Sequence, residues 1–392
     1  MKLVQINTVC NGSTGKIMGD IQRTANQEGF ETISFYGRRK GYKDLKCEKI
    51  GGFFSFWYHV FLTTVFDMHG HGSYFKTKKL VKRIKQENPD IIHLHNIHGY
   101  YINYKVLFNY LKNEYQGKIF WTLHDCLPFT GHCAHFMSVN CDKWKIQCKK
   151  CPKKKRYPIS LFLDRSYKNY LEKKELFTNL NNLIIITPSD WLNKLVKQSF
   201  LKDYEVITIN NGINLNLFKE NKDLSVLEKY NIPNNKIILG VASVWTKEKG
   251  IDDFIDLAKL ISDEYIIILV GLSKKQIREL SKYKNIIGIK RTDNQQELVK
   301  LYSCAYVLVN PTYEDNYPTV NLEAIACNTP VITYATGGCV EQVTKETGII
   351  SNKDNLLDDI EKIKDLDFNN KELLNKMDKE IKNKEIIELY RK

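Results

Sequence analysis

Residues 1–28 read MKLVQINTVCNGSTGKIMGDIQRTANQE. An apolar run at Lys2–Asn7, a turn carrying Gly12 and Gly15, and an amphipathic stretch at Thr14–Glu28 follow one another. That order predicts strand, tight loop and helix. Further apolar runs at Thr32–Tyr36, Ile91–His95, Lys118–Leu123, Leu183–Thr187 and Glu205–Asn210 predict strands, with helices between them such as Thr77–Glu87 and Asp190–Ser199. Strands alternating with helices predict a parallel sheet covered on both faces. After a polar, Asn-rich segment the pattern restarts. Strands are predicted at Lys236–Ala242, Tyr265–Val270, Ile286–Ile289, Tyr306–Asn310 and Pro330–Thr333, with helices such as Ile251–Ile261 and Val320–Cys327. The expectation is an α/β chain of two doubly wound domains, their ligand crevices at the C-terminal strand ends facing across a cleft. Its expected parts are an N-terminal domain (1–211), a linker (212–235), a C-terminal domain (236–368) and a charged helical tail (369–392).

Of the 392 residues, 43% are hydrophobic and 27% charged, which excludes a disordered or fibrous chain and supplies material for two cores. The net charge of +14 fits nucleic acid, an anionic membrane or a phosphorylated substrate as partner, and equally a plain drift toward Lys, Asn and Ile. The N-terminus enters a strand directly, without a signal-type apolar core. A cytoplasmic protein is therefore expected, its ten cysteines mostly reduced. The most apolar stretch, Phe53–Phe66, is broken by His59, Thr63 and Thr64. It is shorter than the roughly 20 residues of a membrane span. A buried helix is expected there, with shallow membrane contact as the alternative.

Loops at strand ends carry the candidate chemistry. Asn11-Gly12-Ser13-Thr14-Gly15-Lys16 lacks the spacing of a nucleotide triphosphatase loop, since Ile17 follows Gly15-Lys16 and Cys10 stands where the first glycine belongs. Gly12 and Gly15 still permit close backbone approach of an anion or sugar hydroxyl at a helix start; a tight turn is the alternative. His93 and His95 share a strand face, and with His98 they read as polar lining of the cleft more than as metal ligands. Next, His124-Asp125 ends a strand; the imidazole can donate to a substrate oxygen with Asp125 orienting it. In the second half, Asp315-Asn316-Tyr317-Pro318-Thr319 follows a strand and opens the helix that carries Glu323. Free N–H groups at that start suit a diphosphate, and the two carboxylates a polyol or an acid–base pair. Lys249-Gly250 offers a cation at another strand end, and Gly337-Gly338 a close backbone approach.

Taken together, the N-terminal glycine loop, His124-Asp125, Pro188-Ser189-Asp190-Trp191, Asn211-Gly212-Ile213, Lys249-Gly250 and the acidic motif running to Pro330-Val331 resemble the retaining glycosyltransferases of family 4. That family has two Rossmann-like domains, the glycosyltransferase-B fold, and the resemblance spans nearly the whole chain. Its E-x7-E motif maps to Asp315-x7-Glu323. The resemblance implies that Glu323 holds the nucleotide ribose, that Asp315 approaches the donor sugar, and that Lys249 binds the diphosphate. Val244 stands where the family has a companion Arg, a loss that Lys247 or Arg291 would have to make good. The catalytic residues implied are His124 and Asp315; the donor-binding set is Gly12, Gly15, Lys249, Gly271, Arg291, Asn316, Pro318, Thr319 and Glu323.

The implied reaction is transfer of a sugar from a nucleotide-sugar to a saccharide or lipid-diphosphate-linked acceptor hydroxyl with retention, as in capsular, exo- or lipopolysaccharide synthesis. No cofactor is needed for catalysis. Phe53–Phe66 and the basic run Lys149–Arg156 suit peripheral contact with an anionic membrane at its inner face. A nucleotide-sugar epimerase or hydrolase on the same fold is the alternative. A nucleic-acid partner is not expected, because no recognition motif accompanies the charge. Cys133-x7-Cys141-x6-Cys148-x2-Cys151 offers four soft ligands for a tetrahedral structural zinc; reduced cysteines serving as small apolar residues are the opposing reading.

Overall fold

The computed structural model describes residues 1–392, which divide into two compact units: Met1–Asn210 with Lys382–Lys392, and Asn211–Ile381. The first is built on β1 (Lys2–Val9), β2 (Glu31–Arg38), β3 (Cys47–Lys49), β4 (Ile91–Leu94), β5 (Lys118–Thr122), β6 (Leu183–Thr187) and β7 (Glu205–Thr208). All pair in parallel in the order β3-β2-β1-β4-β5-β6-β7. Strand order reverses between β1 and β4, where the loops at the C-terminal ends diverge and leave room for a ligand. Both faces are covered, as buried Val4, Ile6 and Ile92 on one and Leu3, Ile91 and Phe120 on the other require.

The second unit holds β8 (Lys236–Val241), β9 (Tyr265–Val270), β10 (Ile286–Ile289), β11 (Val307–Asn310), β12 (Val331–Tyr334) and β13 (Gly348–Ser351). These also pair in parallel, in the order β10-β9-β8-β11-β12-β13, with the reversal between β8 and β11. Each sheet is therefore doubly wound around its own first strand.

Three expectations meet a different structure. The segment 212–235, read as a linker, buries Ile213, Phe218, Val226 and Ile232 in the second unit's core. Its polar Asn-rich appearance hides apolar residues spaced widely enough to escape a run. The tail 369–392 is two helices, Lys371–Met377 and Lys379–Arg391; the first packs on the second unit, and the end of the other returns to the first. There Ile386, Ile387, Leu389 and Tyr390 join Leu3, Ile91 and Phe120 in one cluster.

Helix Phe53–Phe66 is the third difference, since it is not buried. Only His59 and Thr63, one turn apart, are fully buried. The His59 Nε2 accepts the Gly70 N–H at 2.9 Å, its Nδ1 lies 3.2 Å from Ser73 Oγ, and Thr63 Oγ1 lies 3.3 Å from His69 Nδ1. The polar face is the one held by hydrogen bonds. Of the aromatic residues, Phe56 packs half-buried on Tyr100, and Phe53, Phe54, Trp57, Tyr58, Phe61 and Phe66 are left outside.

Candidate active site

In the second unit, the loops after β8, β9 and β11 meet at the strand-order reversal. Gly250, at φ +74°, follows the turn Lys247–Lys249; a Cβ there would stand 2.3 Å from the Pro311 carbonyl oxygen. The missing side chain lets the β8 loop lie against the β11 loop. Tyr313 N–H donates to the Glu248 carbonyl at 2.8 Å, and Thr312 Oγ1 to the same oxygen at 3.3 Å. So sutured, the two loops bring Lys249 Nζ onto Asp315 Oδ2 and within 3.2 Å of the Glu314 carbonyl. Asp315 Oδ1 accepts the Asn316 N–H at 2.8 Å. Gly271, at φ +101°, ends β9 with its Cα so near the Ala242 carbonyl oxygen that a Cβ would lie 1.7 Å from it.

Helix Thr319–Ala326 starts at Pro318 without any side-chain cap. Its first N–H groups thus lack an intrahelical partner and carry the positive end of the helix dipole. Asn321 is buried and fixes that end: it accepts from Asn310 Nδ2 at 2.9 Å and donates to Gln342 Oε1 at 3.0 Å, while Gln342 Nε2 donates to the Pro318 carbonyl at 3.0 Å. Glu323 accepts the Tyr302 hydroxyl at 3.0 Å, from a tyrosine that is fully buried. Nothing in the sequence around Tyr302 signals this role. Lys249, Asp315, Asn316, Pro318, Thr319, Gly271 and Glu323 therefore all stand on the C-terminal side of this sheet. Arg291 follows the edge strand β10, is exposed, and no hydrogen bond or ion pair ties it to that group. Lys247, the other candidate to replace the missing Arg, faces solvent 3.6 Å from Asp252.

In the first unit, Gly12 opens the helix Ser13–Gln27 at φ +71°. A Cβ on Gly15 would meet the Cys10 carbonyl carbon at 2.6 Å, so this glycine seats the helix start on the strand end. Asn7 Oδ1 accepts the N–H of Thr8 at 2.8 Å and of Asn96 at 3.2 Å, joining the loops after β1 and β4. His124, just beyond β5, is half-buried, and its Nε2 lies 3.3 Å from His95 Nδ1 with the rings stacked. Burial pushes the His124 imidazole down to about 4, so it is neutral at pH 7.

Asp125 does not do what its place in the sequence suggested. Its Oδ2 meets His98 Nε2 at 2.8 Å and its Oδ1 accepts the Leu127 N–H at 2.9 Å. Although burial opposes ionisation, the nearby His98 and these bonds hold the Asp125 carboxyl at about 2. His124 is oriented through His95, whose Nε2 lies 3.1 Å from Gln5 Oε1. His93 and His95 are thus interior groups and not cleft lining: His93 bonds Tyr390 and, at 2.7 Å, Thr122.

Cys133, Cys141, Cys148 and Cys151 line one small pocket, yet no three His, Cys, Asp or Glu side chains come together as a group able to hold a metal ion. The expected zinc site is therefore not formed. The Cys133 and Cys151 thiols bond each other, and Cys148 Sγ accepts the Gly131 N–H at 3.2 Å. Packing constrains this long loop instead. Trp144 is buried between Phe129 and Phe136, and the buried Lys173 ammonium donates to the Leu127 and Thr130 carbonyls at 2.8 and 3.0 Å.

The sequence model of the family described as Glycosyl transferases group 1 matches residues 224–384. The protein named as the colanic acid biosynthesis glycosyl transferase WcaC of Escherichia coli is 23% identical over 372 residues, which is 89% of this chain and 86% of that one. The N,N'-diacetylbacillosaminyl-diphospho-undecaprenol alpha-1,3-N-acetylgalactosaminyltransferase of Campylobacter jejuni is 25% identical over 52% of this chain and 60% of its own length. Among solved structures, Anabaena Alr3699/HepE in complex with UDP-glucose superposes with a TM-score of 0.66 at 14% identity, over 99% of both chains. The two parallel Rossmann-like sheets thus have the glycosyltransferase-B fold, and residues 224–384 form a domain of the glycosyl transferases group 1.

Proposed function

We propose that the chain transfers a sugar from a nucleotide-sugar, with retention at the anomeric carbon, to a hydroxyl of a saccharide carried on a lipid diphosphate, in the synthesis of a surface polysaccharide. The observation that carries this reading is the Lys249–Asp315 pair beside the uncapped start of helix Thr319–Ala326, with Glu323 one turn further on. A diphosphate meets both the helix N–H groups and the Lys249 ammonium there, and its charge draws Lys249 from Asp315. Asp315 is then released toward the donor sugar, while Glu323, fixed by Tyr302, accepts the ribose hydroxyls. As the sugar–phosphate bond breaks, negative charge grows on the leaving oxygen, where these preorganised groups stabilise it. The acceptor oxygen bonds the anomeric carbon on the face the phosphate leaves, and the departing phosphate takes the acceptor proton.

The first unit binds the acceptor, and neutral His124 is its candidate hydrogen-bond donor to a sugar oxygen. Support for a nucleotide donor comes from the UDP-glucose complex of HepE, and for a lipid-diphosphate acceptor and polysaccharide product from the named activities of the Campylobacter and Escherichia relatives. No helix is long and apolar enough to cross a membrane; in this proposal the reaction runs at the cytoplasmic face of one. The relatives give no support to an epimerase or hydrolase.

The test is thermal stabilisation by a panel of nucleotide-sugars, followed by transfer from the one that stabilises to lipid-linked saccharides. Glu323→Gln should weaken nucleotide binding about ten-fold, since a charged hydrogen bond contributes about 1.5–3 kcal/mol. Wild-type affinity in that variant would remove Glu323 from the ribose. Free sugar released at the same rate with and without acceptor would mean hydrolysis. His124→Ala should lower kcat while leaving the Kd for free nucleotide unchanged, measured by titration calorimetry; an equal loss in both would place His124 on the nucleotide.

A further inference from the structure

Helix Phe53–Phe66 is inside out. Phe53, Phe54, Trp57, Tyr58 and Phe61 are 72, 85, 54, 58 and 52% exposed, while its polar His59 and Thr63 are buried. A soluble surface helix has the opposite arrangement, and apolar patches of this kind mark interaction sites. The face extends beyond the helix. Ser55 Oγ donates to Ser73 Oγ at 2.9 Å, which sets Tyr74 and the 82%-exposed Phe75 beside it. At the other end, Leu161 N–H donates to the Thr64 carbonyl at 2.8 Å, adding exposed Leu161, Phe162 and Leu163.

The exposed charge on the two segments that form this surface has one sign. Between Ile50 and Gln86 the only carboxylate is Asp67, which is buried and bonded to His132. Between Lys149 and Leu163 there is none. Lys76 approaches the start of the helix at Gly52, and Lys154 Nζ donates to the Phe162 carbonyl at 3.1 Å. Exposed Lys78, Lys79 and Lys155 add to the collar.

We infer that this face docks on an anionic bilayer, the aromatic side chains entering the interface and the lysines meeting lipid phosphates. Aromatic and long apolar side chains on one face of an element lying in the membrane plane, flanked by cations, are what interfacial binding requires. A protein partner would need a matched acidic rim, and a second copy would oppose two basic collars; a bilayer meets both the apolar and the cationic demand. The inference deepens the lipid-linked acceptor reading, but the assay below contains neither acceptor nor donor. Failure of docking and failure of transfer are thus separate results.

The experiment is flotation of the full chain with vesicles of phosphatidylcholine alone, or with 30 mol% phosphatidylglycerol (about the anionic share that gives a strong surface potential), with Trp57 emission as a second signal. Wild type should float with the anionic vesicles, and its emission should shift to the blue. The double variant Phe53→Asp/Phe54→Asp, whose substituted side chains already face water, should keep the wild-type circular dichroism and bind at least about ten-fold more weakly. Lys76→Glu/Lys155→Glu should weaken binding to anionic vesicles, with added salt reducing the wild type to the same level. Absence of flotation, or flotation unchanged in the Phe variant, would overturn the inference. So would a wild-type dimer in light scattering that the Phe variant dissolves without affecting flotation.

Discussion

Lys249→Ala is expected to lower kcat/KM for the donor by about 10²–10³-fold, the loss that follows removal of one preorganised charge-stabilising group. Part of the loss should appear in KM, because the ammonium meets the diphosphate in the ground state. The larger part should appear in kcat, because charge on the leaving oxygen grows only as the sugar departs. The fold should hardly notice. Lys249 and Asp315 side chains are 32 and 21% exposed, and pairs of that kind contribute about 0–1 kcal/mol. Steady-state kinetics beside a thermal melt separates the two. A variant that loses Tm without losing kcat would make the pair a loop fastener and not a donor contact.

Mild acid should undo the first unit alone. All nine histidines lie between His59 and His135, and the second unit has none. Burial pushes the imidazoles of His59 and His93 down to about 3, and those of His69 and His95 well below the ordinary 6.5. Below 6.5 the unfolded chain therefore binds protons that the folded chain refuses, and stability falls as pH falls. Each such imidazole costs about 1.4 kcal/mol per pH unit, so the four together cost on the order of 5 kcal/mol by pH 5.5. His132 acts the other way: despite its burial, the bond to Asp67 raises it, so its contribution is present in acid and is lost as pH rises. Burial lowers His71 and His124 as well, so one group against six leaves the sign unchanged. Scanning calorimetry from pH 7.5 to 5 should show a transition falling by about 10 °C or more, with a second, the histidine-free unit's, nearly fixed. A first-unit transition that stayed fixed would mean that the imidazoles protonate without unfolding, and two transitions falling together would mean that the histidines are not the cause.

Most of the strands were legible because a doubly wound sheet buries both faces of its central strands. The predicted Leu183–Thr187, Tyr265–Val270 and Ile286–Ile289 match β6, β9 and β10 to the residue. The edge strands β3 and β13 escaped notice: Cys-Glu-Lys at β3 has no apolar run, and β13 offers only two Ile between Gly348 and Ser351. The helix Phe53–Phe66 was misplaced because apolar content has no direction; the spacing of His59 and Thr63 by one turn was the signal that its polar side faces in. Asp125 was matched to His124 by adjacency. Neighbouring residues of extended chain point to opposite sides, however, so the partners come from the loop after β4, His95 for one and His98 for the other. Lys249 and Asp315 were readable as candidates because each follows a strand, but that they touch depends on Gly250, which carries no chemistry of its own.

The return of the last helix has a consequence for how the protein is made. Leu3, Ile91 and Phe120 are translated well before their cover, Ile386, Ile387, Leu389 and Tyr390. Domains emerging from a ribosome fold as units, N-terminal first. Here the order is inverted: Asn211–Ile381 has all its residues in hand while the leading unit still waits for Lys382–Lys392. Until residues 382–392 are made, an apolar floor and the polar His93 beneath Tyr390 lack their cover. A nascent chain arrested before Lys382 thus carries a second unit with all its residues and a first unit still unfinished, the form of this protein most in need of a chaperone.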